Sequence, residues 1–335
     1  MSAPLLEVRE LVKRYPLGGG LFGSPQVVHA LEGVSLALRA GETLAVVGES
    51  GCGKSTLARC VLRLEAPTSG SVLVAGRDIV RAKGRELRRL RKRVQIVFQD
   101  PYSSLNPRRT VFQAVADALR LHDICKRKER RARVERLLNR VGLGADHMDR
   151  LPHELSGGQR QRVAVARALA VEPEVLVCDE PVSALDVSVQ AQVINLLKRL
   201  QRELGISYLF ISHNLGLVLQ IADRVAVMYL GRVVELAETR ALRARALHPY
   251  SEALLSAVPV ADPQATRRKR HLVLAGEIPS ATEMPPGCAF ASRCPYRQEI
   301  CTAEAPALRL VEERLVRCHF AGEWPAPAAA VAPGL

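Results

Sequence analysis

The chain has 335 residues and a formal net charge of +14, from 48 lysines and arginines against 34 acidic side chains. That length suits one large domain with additions. No apolar stretch approaches the ~20 residues that a membrane-spanning helix needs, and the eight cysteines do not make a secreted disulfide scaffold, because four of them are scattered singly. The opening Met1-Ser2-Ala3-Pro4-Leu5-Leu6-Glu7-Val8-Arg9-Glu10 lacks the basic start and apolar core of a secretory signal, so the chain is expected to stay in the cytosol.

Residues 5–47 alternate in strand fashion, with Val34, Leu36 and Leu38 on one face and Gly18-Gly19-Gly20 marking an early loop. The apolar run Leu44-Ala45-Val46-Val47 leads into Gly48-Glu49-Ser50-Gly51-Cys52-Gly53-Lys54-Ser55-Thr56, and a helix-compatible stretch runs from Ser55 to Leu64. This is a P-loop, G-x-x-x-x-G-K-[ST], in the strand–loop–helix setting that the motif requires. Its glycines let successive backbone N–H groups turn inward as an anion cradle, at the partly positive start of a helix. Lys54 would reach the β- and γ-phosphates of a nucleoside triphosphate, and the Ser55 hydroxyl would coordinate Mg²⁺.

A turn at Pro67–Gly70 leads to a strand over Ser71–Ala75. The basic runs Arg81–Arg93, Lys126–Arg133 and Arg267–Arg270 suit either solvated helix faces or an acidic membrane surface. Lys126–Arg140 favours the first, because Val134, Leu137, Leu138 and Val141 recur at helical spacing. No aromatic residues interleave with these charges as a base-stacking platform requires, and nucleic acid is not expected as a partner. Gln99 follows the apolar run Val94-Gln95-Ile96-Val97-Phe98, residues 101 to 155 are mostly helical in pattern, and Leu155-Ser156-Gly157-Gly158-Gln159 closes that stretch.

Val175-Leu176-Val177-Cys178-Asp179-Glu180 reads as a buried parallel strand delivering two carboxylates to its C-terminal edge, where open α/β sheets place ligands. Asp179 would hold Mg²⁺ and Glu180 would accept a proton from an attacking water; the alternative is a helix-capping Asp-Glu pair. A further strand, Tyr208-Leu209-Phe210-Ile211, ends in Ser212-His213. A histidine there can contact a γ-phosphate, although a lone histidine is more often structural. Residues Val225 to Glu235 read as two strands turned at Leu230-Gly231-Arg232, and no internal repeat is evident.

Past residue 245 prolines and glycines become frequent, and Cys288, Cys294, Cys301 and Cys318 follow at C-x5-C-x6-C-x16-C spacing. Four thiolates in a loop-rich segment suit a metal site, because such a segment has little apolar mass for a core of its own. Unrelated thiols are the alternative. The intervals match no common zinc pattern and are compatible with a four-cysteine cluster; spacing alone does not choose the metal.

Together these motifs resemble the ATP-binding-cassette (ABC) ATPases over almost the whole chain. The resemblance implies an α/β P-loop NTPase with a RecA-like core, an antiparallel β subdomain and a helical subdomain, plus an irregular cysteine-containing extension. It implies that Tyr15 stacks on adenine, Gly48–Thr56 is the Walker A motif, and Gln99 is the Q-loop glutamine, which also faces Mg²⁺. Ser156, Gly157, Gly158 and Gln159 would be the signature, Asp179 and Glu180 Walker B, Ser183-Ala184-Leu185-Asp186 the D-loop, and His213 the switch histidine. Two cassettes would face each other, each ATP lying between one P-loop and the other subunit's signature. Asn214 departs from the aspartate usual after the switch histidine, which bears on how His213 is oriented.

The tail narrows the resemblance. His248-Pro249-Tyr250, Gly276-Glu277 with Pro279-Ser280, and Pro285-Pro286-Gly287-Cys288 through Arg293-Cys294-Pro295 are similar to the C-terminal extension of oligopeptide and dipeptide importer ATPases, especially the second, F-type subunit. Gln99-Asp100-Pro101 with Ser104-Leu105-Asn106-Pro107-Arg108 points the same way. The division implied is a nucleotide-binding domain over 1–245, with its helical subdomain at about 101–155, and an extension over 246–335. The partners implied are a sister ATPase, two membrane permeases and an extracytoplasmic solute-binding protein, with the chain peripheral on the cytoplasmic face of the membrane. ATP and Mg²⁺ are the implied ligands, together with a [4Fe–4S] cluster on Cys288, Cys294, Cys301 and Cys318, whose loss is expected to loosen the tail before it affects hydrolysis. The solute stays open among dipeptides, longer peptides, nickel complexes and other small solutes. A soluble cassette ATPase on ribosomes or DNA is the rival; such chains usually fuse two cassettes or insert a coiled coil, and this one does neither.

Overall fold

The computed structural model describes residues 3–18, 26–259, 274, 276, 277 and 279–324. Gly19 and Gly20 of the early loop, the Arg267–Arg270 run and Ile278 lie outside the described residues.

The strands most uniformly apolar in sequence form the centre of the molecule. β3 (Thr43–Val47), β7 (Val175–Asp179) and β8 (Ser207–Ser212) are buried at every position, the pattern of parallel strands covered on both faces. With β6 (Val94–Val97) and β9 (Arg224–Tyr229) they run parallel in the order β9-β3-β8-β7-β6. The hairpin partner β10 (Arg232–Glu238) and the short strands β12 (Arg314–Val316) and β11 (Arg309–Val311) extend one edge antiparallel, giving eight strands in one sheet. A second, antiparallel sheet contains β2 (Gln26–Leu38), β1 (Leu6–Leu17), β4 (Ser69–Val74) and β5 (Arg77–Asp78), in that order. β4 begins inside the turn expected at Pro67–Gly70, because Ser69 pairs with Val12.

Alternation along β3 divides two cores. Leu44 and Val46 face the antiparallel sheet and helix α1 (Lys54–Val61), packing with Leu6, Val8, Leu36 and Leu57. Ala45 and Val47 face the opposite way, into a core shared with the helices. Those helices are α2 (Gly84–Arg93), α3 (Pro101–Ser104), α4 (Val111–Leu121), α5 (Arg130–Arg140), α6 (Gly157–Leu169), α7 (Val187–Leu204) and α8 (Leu215–Ile221). α4 to α8 all contribute to that core, whereas the one buried residue of α2, Leu90, packs on the antiparallel-sheet side.

The α4 stripe is Val111, Val115 and Leu119, and the α5 stripe is Val134, Leu137 and Leu138, with charges outward as the spacing predicts. Capping boxes at Thr110–Gln113 and Ser156–Gln159 set the starts of α4 and α6. Part of the Arg81–Arg93 charge is used within the cassette: Arg91 donates to the carbonyl of Arg63 at 2.7 Å, and Arg93 makes a two-pronged pair with Glu174 at 2.6 Å.

Beyond residue 245 the chain is more regular than its composition suggests. Helix α10 (Pro249–Ser256) follows a short α9 (Thr239–Ala244), and the β11–β12 hairpin docks on β10 through Glu235↔Val316 and Leu236↔Leu315. Glu235 is fully buried and accepts from the N–H groups of Leu247 and His248, both at 3.0 Å, while Arg314 lies 3.8 Å from its carboxylate. A carboxylate on the cassette's edge strand thereby fastens the first turn of the tail. Glu235→Leu leaves two buried N–H groups without their acceptor and removes the carboxylate facing the nearly buried Arg314, and is expected to cost about 3 kcal/mol of unfolding free energy. Denaturant unfolding measures this, and a loss below about 1 kcal/mol, the worth of an exposed pair, would mean that the carboxylate does not fasten the tail.

Candidate nucleotide site

Parallel pairing brings four strand ends to one edge. Val47 is level with Ser212, Asp179 with Ile211, and Val97 with Cys178. The P-loop leaves β3 there, Asp179 and Glu180 leave β7, His213 leaves β8, and Gln99 stands two residues past β6.

The P-loop is shaped by close backbone approaches. A Cβ on Gly48 would lie 2.2 Å from the carbonyl oxygen of Met228, and one on Gly53 would lie 2.2 Å from that of Ala30, at φ +102°. Only glycine fits either place. The turn between β9 and β10 supports the loop from below, the Gly231 N–H donating to the Cys52 carbonyl at 3.0 Å. Lys54 is 5% exposed, and its ammonium folds onto the carbonyls of Gly48 and Glu49 at 2.8 and 2.9 Å. Ser50, Gly51 and Thr56 complete the loop and the first turn of α1. Tyr15 lies at the same helix, bonded to Glu65 and beside Thr56, with the Lys13 ammonium 4.7 Å from its ring centroid.

Ser55 Oγ donates to Asp179 Oδ1 at 3.1 Å. Asp179 is 6% exposed, and burial raises its pKa above the ordinary aspartate value. A hydroxyl and a desolvated carboxylate side by side are a fitting donor set for a hard divalent cation. Next to them, Glu180 adopts φ +46°, a left-handed conformation rare for a residue with a side chain. Its N–H donates to the Ile211 carbonyl at 2.9 Å, and its own carbonyl accepts from Ser183 Oγ at 3.1 Å. Gln99 Nε2 donates to Glu180 Oε2 at 3.3 Å, and His213 Nδ1 lies 3.0 Å from the same oxygen. Oε1 has no hydrogen-bond partner among the described residues. Asn214 caps α8, its side chain accepting from the Leu217 N–H at 3.1 Å. Aspartate would cap the same way, so the departure at 214 leaves His213 facing Glu180.

Ser156 starts α6, its hydroxyl accepting from the Gln159 N–H at 3.3 Å. Gly157 and Gly158 pack against the segment that opens α7: a Cβ on Gly158 would lie 2.5 Å from Val189 Cγ1, and one on Gly157 3.1 Å from Leu185 Cδ2. Among the described residues no hydrogen bond joins Ser156–Gln159 to the P-loop of the same chain. Val187, at the start of α7, is 82% exposed.

Cys288, Cys294, Cys301 and Cys318 line a single apolar pocket together with Phe290, Phe320 and Trp324. Burial pushes the Cys294 thiol up to about 12 and the Cys318 thiol up to about 11. Among the described residues no three His, Cys, Asp or Glu groups converge as a single ion requires.

Two family models match the chain: ABC transporter over residues 31–183, and oligopeptide/dipeptide transporter, C-terminal region, over 234–301. The chain is 50% identical to the di/tripeptide transport ATP-binding protein DppF of Pseudomonas aeruginosa over 320 residues, covering 96% of this chain and 98% of that one. It is 48% identical to the dipeptide transport ATP-binding protein DppF of Escherichia coli, over 95% of each chain. This chain belongs to the ABC transporter ATPases. Among solved structures, cbiO1 of Clostridium perfringens, part of the transporter complex cbiONQ, matches at TM-score 0.62 and 33% identity, over 73% of this chain and 92% of that one. A dimeric post-hydrolysis state of the ATP-binding cassette MJ0796, bound to ADP and phosphate, matches at TM-score 0.63 and 29% identity, over 70% of this chain and 99% of that one.

As in an ABC ATPase, then, the motifs from four strands meet at one sheet edge while the signature faces elsewhere. Sequence reasoning missed the residues that brace this edge from the tail: Tyr250, whose hydroxyl accepts from the Glu49 N–H at 2.8 Å, and Arg293, paired with the Glu49 carboxylate. The only signal for them was their place inside the His-Pro-Tyr and Arg-Cys-Pro motifs. Because a methyl group at position 48 meets a backbone carbonyl, Gly48→Ala is expected to displace the loop and weaken ATP binding roughly 10- to 100-fold while the far-ultraviolet circular dichroism is retained. An ATP titration showing wild-type affinity would mean that the loop yields freely there.

Proposed function

We propose that this chain is an ATP-hydrolysing subunit of a peptide importer, one of two cassettes that drive two membrane permeases supplied by an extracytoplasmic solute-binding protein. The observation that carries the catalytic part is the Glu180 carboxylate, 11% exposed at the end of β7, with one oxygen held by Gln99 and His213 and the other without a hydrogen-bond partner among the described residues. The peptide assignment draws on the tail region and on the names of relatives matched along nearly their full length.

In this reading the N–H groups of the P-loop and the start of α1 receive the triphosphate, and Tyr15 offers its ring to the base. The Lys54 ammonium leaves the carbonyls of Gly48 and Glu49 for the phosphate oxygens, exchanging neutral acceptors for charged ones. Ser55 and Asp179, with Gln99, would hold Mg²⁺, which would supply charge neutralisation on the phosphates. The free Glu180 oxygen accepts the proton of the attacking water. Gln99 and His213 fix the carboxylate's orientation, and His213, 52% exposed, is placed to meet the γ-phosphate. Ser156, Gly157, Gly158 and Gln159 serve the other cassette's nucleotide, because they do not meet their own P-loop. ATP closes the pair by binding the closed state better than the open one, and the helical subdomain at about 101–155 passes that closure to the permeases. The division at residue 245 separates this motor from its extension.

The four tail cysteines supply the ligand count of a four-cysteine cluster. They line one apolar pocket, and neutral buried thiols lose their protons to solvent when they ligate a cationic centre. Cys288, Cys294, Cys301 and Cys318 would hold a [4Fe–4S] cluster, which would tie the tail together. The chain works at the cytoplasmic face of the membrane through its partners; none of its described helices is long and apolar enough to cross.

Glu180→Gln is expected to lower kcat at least ~100-fold, leave ATP affinity within a few-fold, and stop peptide uptake by the assembled transporter. Normal uptake by this variant would sink the mechanism. Protein purified without oxygen should carry about four irons per chain; a colourless, iron-free protein would remove the cluster.

A further inference from the structure

Arg293 closes the short turn Ala291–Arg293, between Cys288 and Cys294, and its side chain is only 8% exposed. Nη1 donates to Glu49 Oε2 at 2.7 Å and Nη2 to Glu49 Oε1 at 3.1 Å, across 244 residues of sequence. The guanidinium lies 6.0 Å from the Tyr229 ring centroid, over a cluster in which Tyr229, Tyr250 and Phe290 lie 4.8 to 5.5 Å apart. Tyr229 and Phe290 bring the end of β9 and the cysteine segment into the same cluster.

Glu49 is consequently held at three groups, by three partners. Its N–H donates to Tyr250 Oη, its carbonyl accepts from Lys54, and its carboxylate is gripped by Arg293. Two of these three partners belong to the tail. A forked guanidinium–carboxylate pair fixes orientation as well as distance, which a lysine ammonium cannot do. It also neutralises a carboxylate located one residue into the phosphate-binding loop, where a bare anion would repel a triphosphate.

We propose that Arg293 is a positioning residue for the nucleotide site: through its forked pair with Glu49, the cysteine-bearing segment of the tail holds the P-loop in the shape that receives phosphate. This rests on the ATPase reading above. The sequence reading expects a loosened tail to precede any loss of hydrolysis; this pair makes the two events one.

The test is steady-state ATPase kinetics of the assembled transporter, with partner cassette and permeases, in which this chain carries Arg293→Gln, Arg293→Lys, Glu49→Gln, or Arg293→Gln with Glu49→Gln, with Lys54→Ala as the control for activity. Each single variant is expected to raise the KM for ATP about 5- to 10-fold with kcat within about twofold. Arg293→Lys should not rescue, and the double variant should be no worse than the poorer single one, because the pair acts as a unit. Glu49→Gln keeps the test decisive if Arg293→Gln does not fold. An unchanged KM in Glu49→Gln, or single effects that multiply in the double variant, would overturn the proposal. If wild type and Lys54→Ala were equally inactive, the ATPase reading itself would fall, a result distinct from either.

Discussion

A loop that binds polyphosphate through backbone N–H groups must already be in shape when the ligand arrives, because ordering it afterwards would consume much of the binding energy. This constraint organises the rest of the structure. Gly48 and Gly53 are pressed against the carbonyls of Met228 and Ala30, so β9 and β2 set the two ends of the loop. The turn of the β9–β10 hairpin holds Cys52 from beneath, and that turn is itself tied to β2 through the Gly231 carbonyl and the Glu32 N–H at 2.9 Å. The tail braces Glu49 from the remaining side. The cradle is rigid because separate parts of the chain converge on nine residues.

The chemistry follows from the same architecture. Parallel strands deliver their following residues to one edge, which is why carboxylate, imidazole, amide and ammonium from distant positions meet without any motif bending to reach another. The strained backbone at Glu180 belongs to this arrangement. A left-handed residue directly after a strand turns its side chain out of the strand's own alternation, and two backbone hydrogen bonds hold it there. The signature obeys a different rule. It caps a helix that packs on the segment opening α7, and no described hydrogen bond joins it to its own P-loop, the placement that the proposed pairing of two cassettes needs.

What the sequence made legible was whatever is encoded locally. Glycine spacing reports the P-loop because the loop's shape depends on neighbouring residues. The run Val175–Glu180 reports a buried strand with acids at its end because both faces of that strand are covered. The helical stripe Val134, Leu137, Leu138 and Val141 was readable for the same reason. The tail was not readable in this way. Its hairpin is two three-residue strands, too short for periodicity, and it forms because β10 offers an open edge. The pair Arg293–Glu49 and the acceptor role of Glu235 join residues whose local sequence says nothing of each other. Neither a charged residue between two cysteines nor the variable second position of a P-loop announces a partner. Composition therefore suggested an irregular appendage where the fold has a brace.

Hydrogen exchange of the full chain, with and without MgATP and over a range of protein concentrations, tests the half-site account most directly. The account predicts that amides of residues 51–56 slow by about tenfold or more whenever MgATP is present, whereas those of 156–159 slow only at concentrations where two chains associate. Slowing of 156–159 in the isolated chain, or none at 51–56, would contradict it.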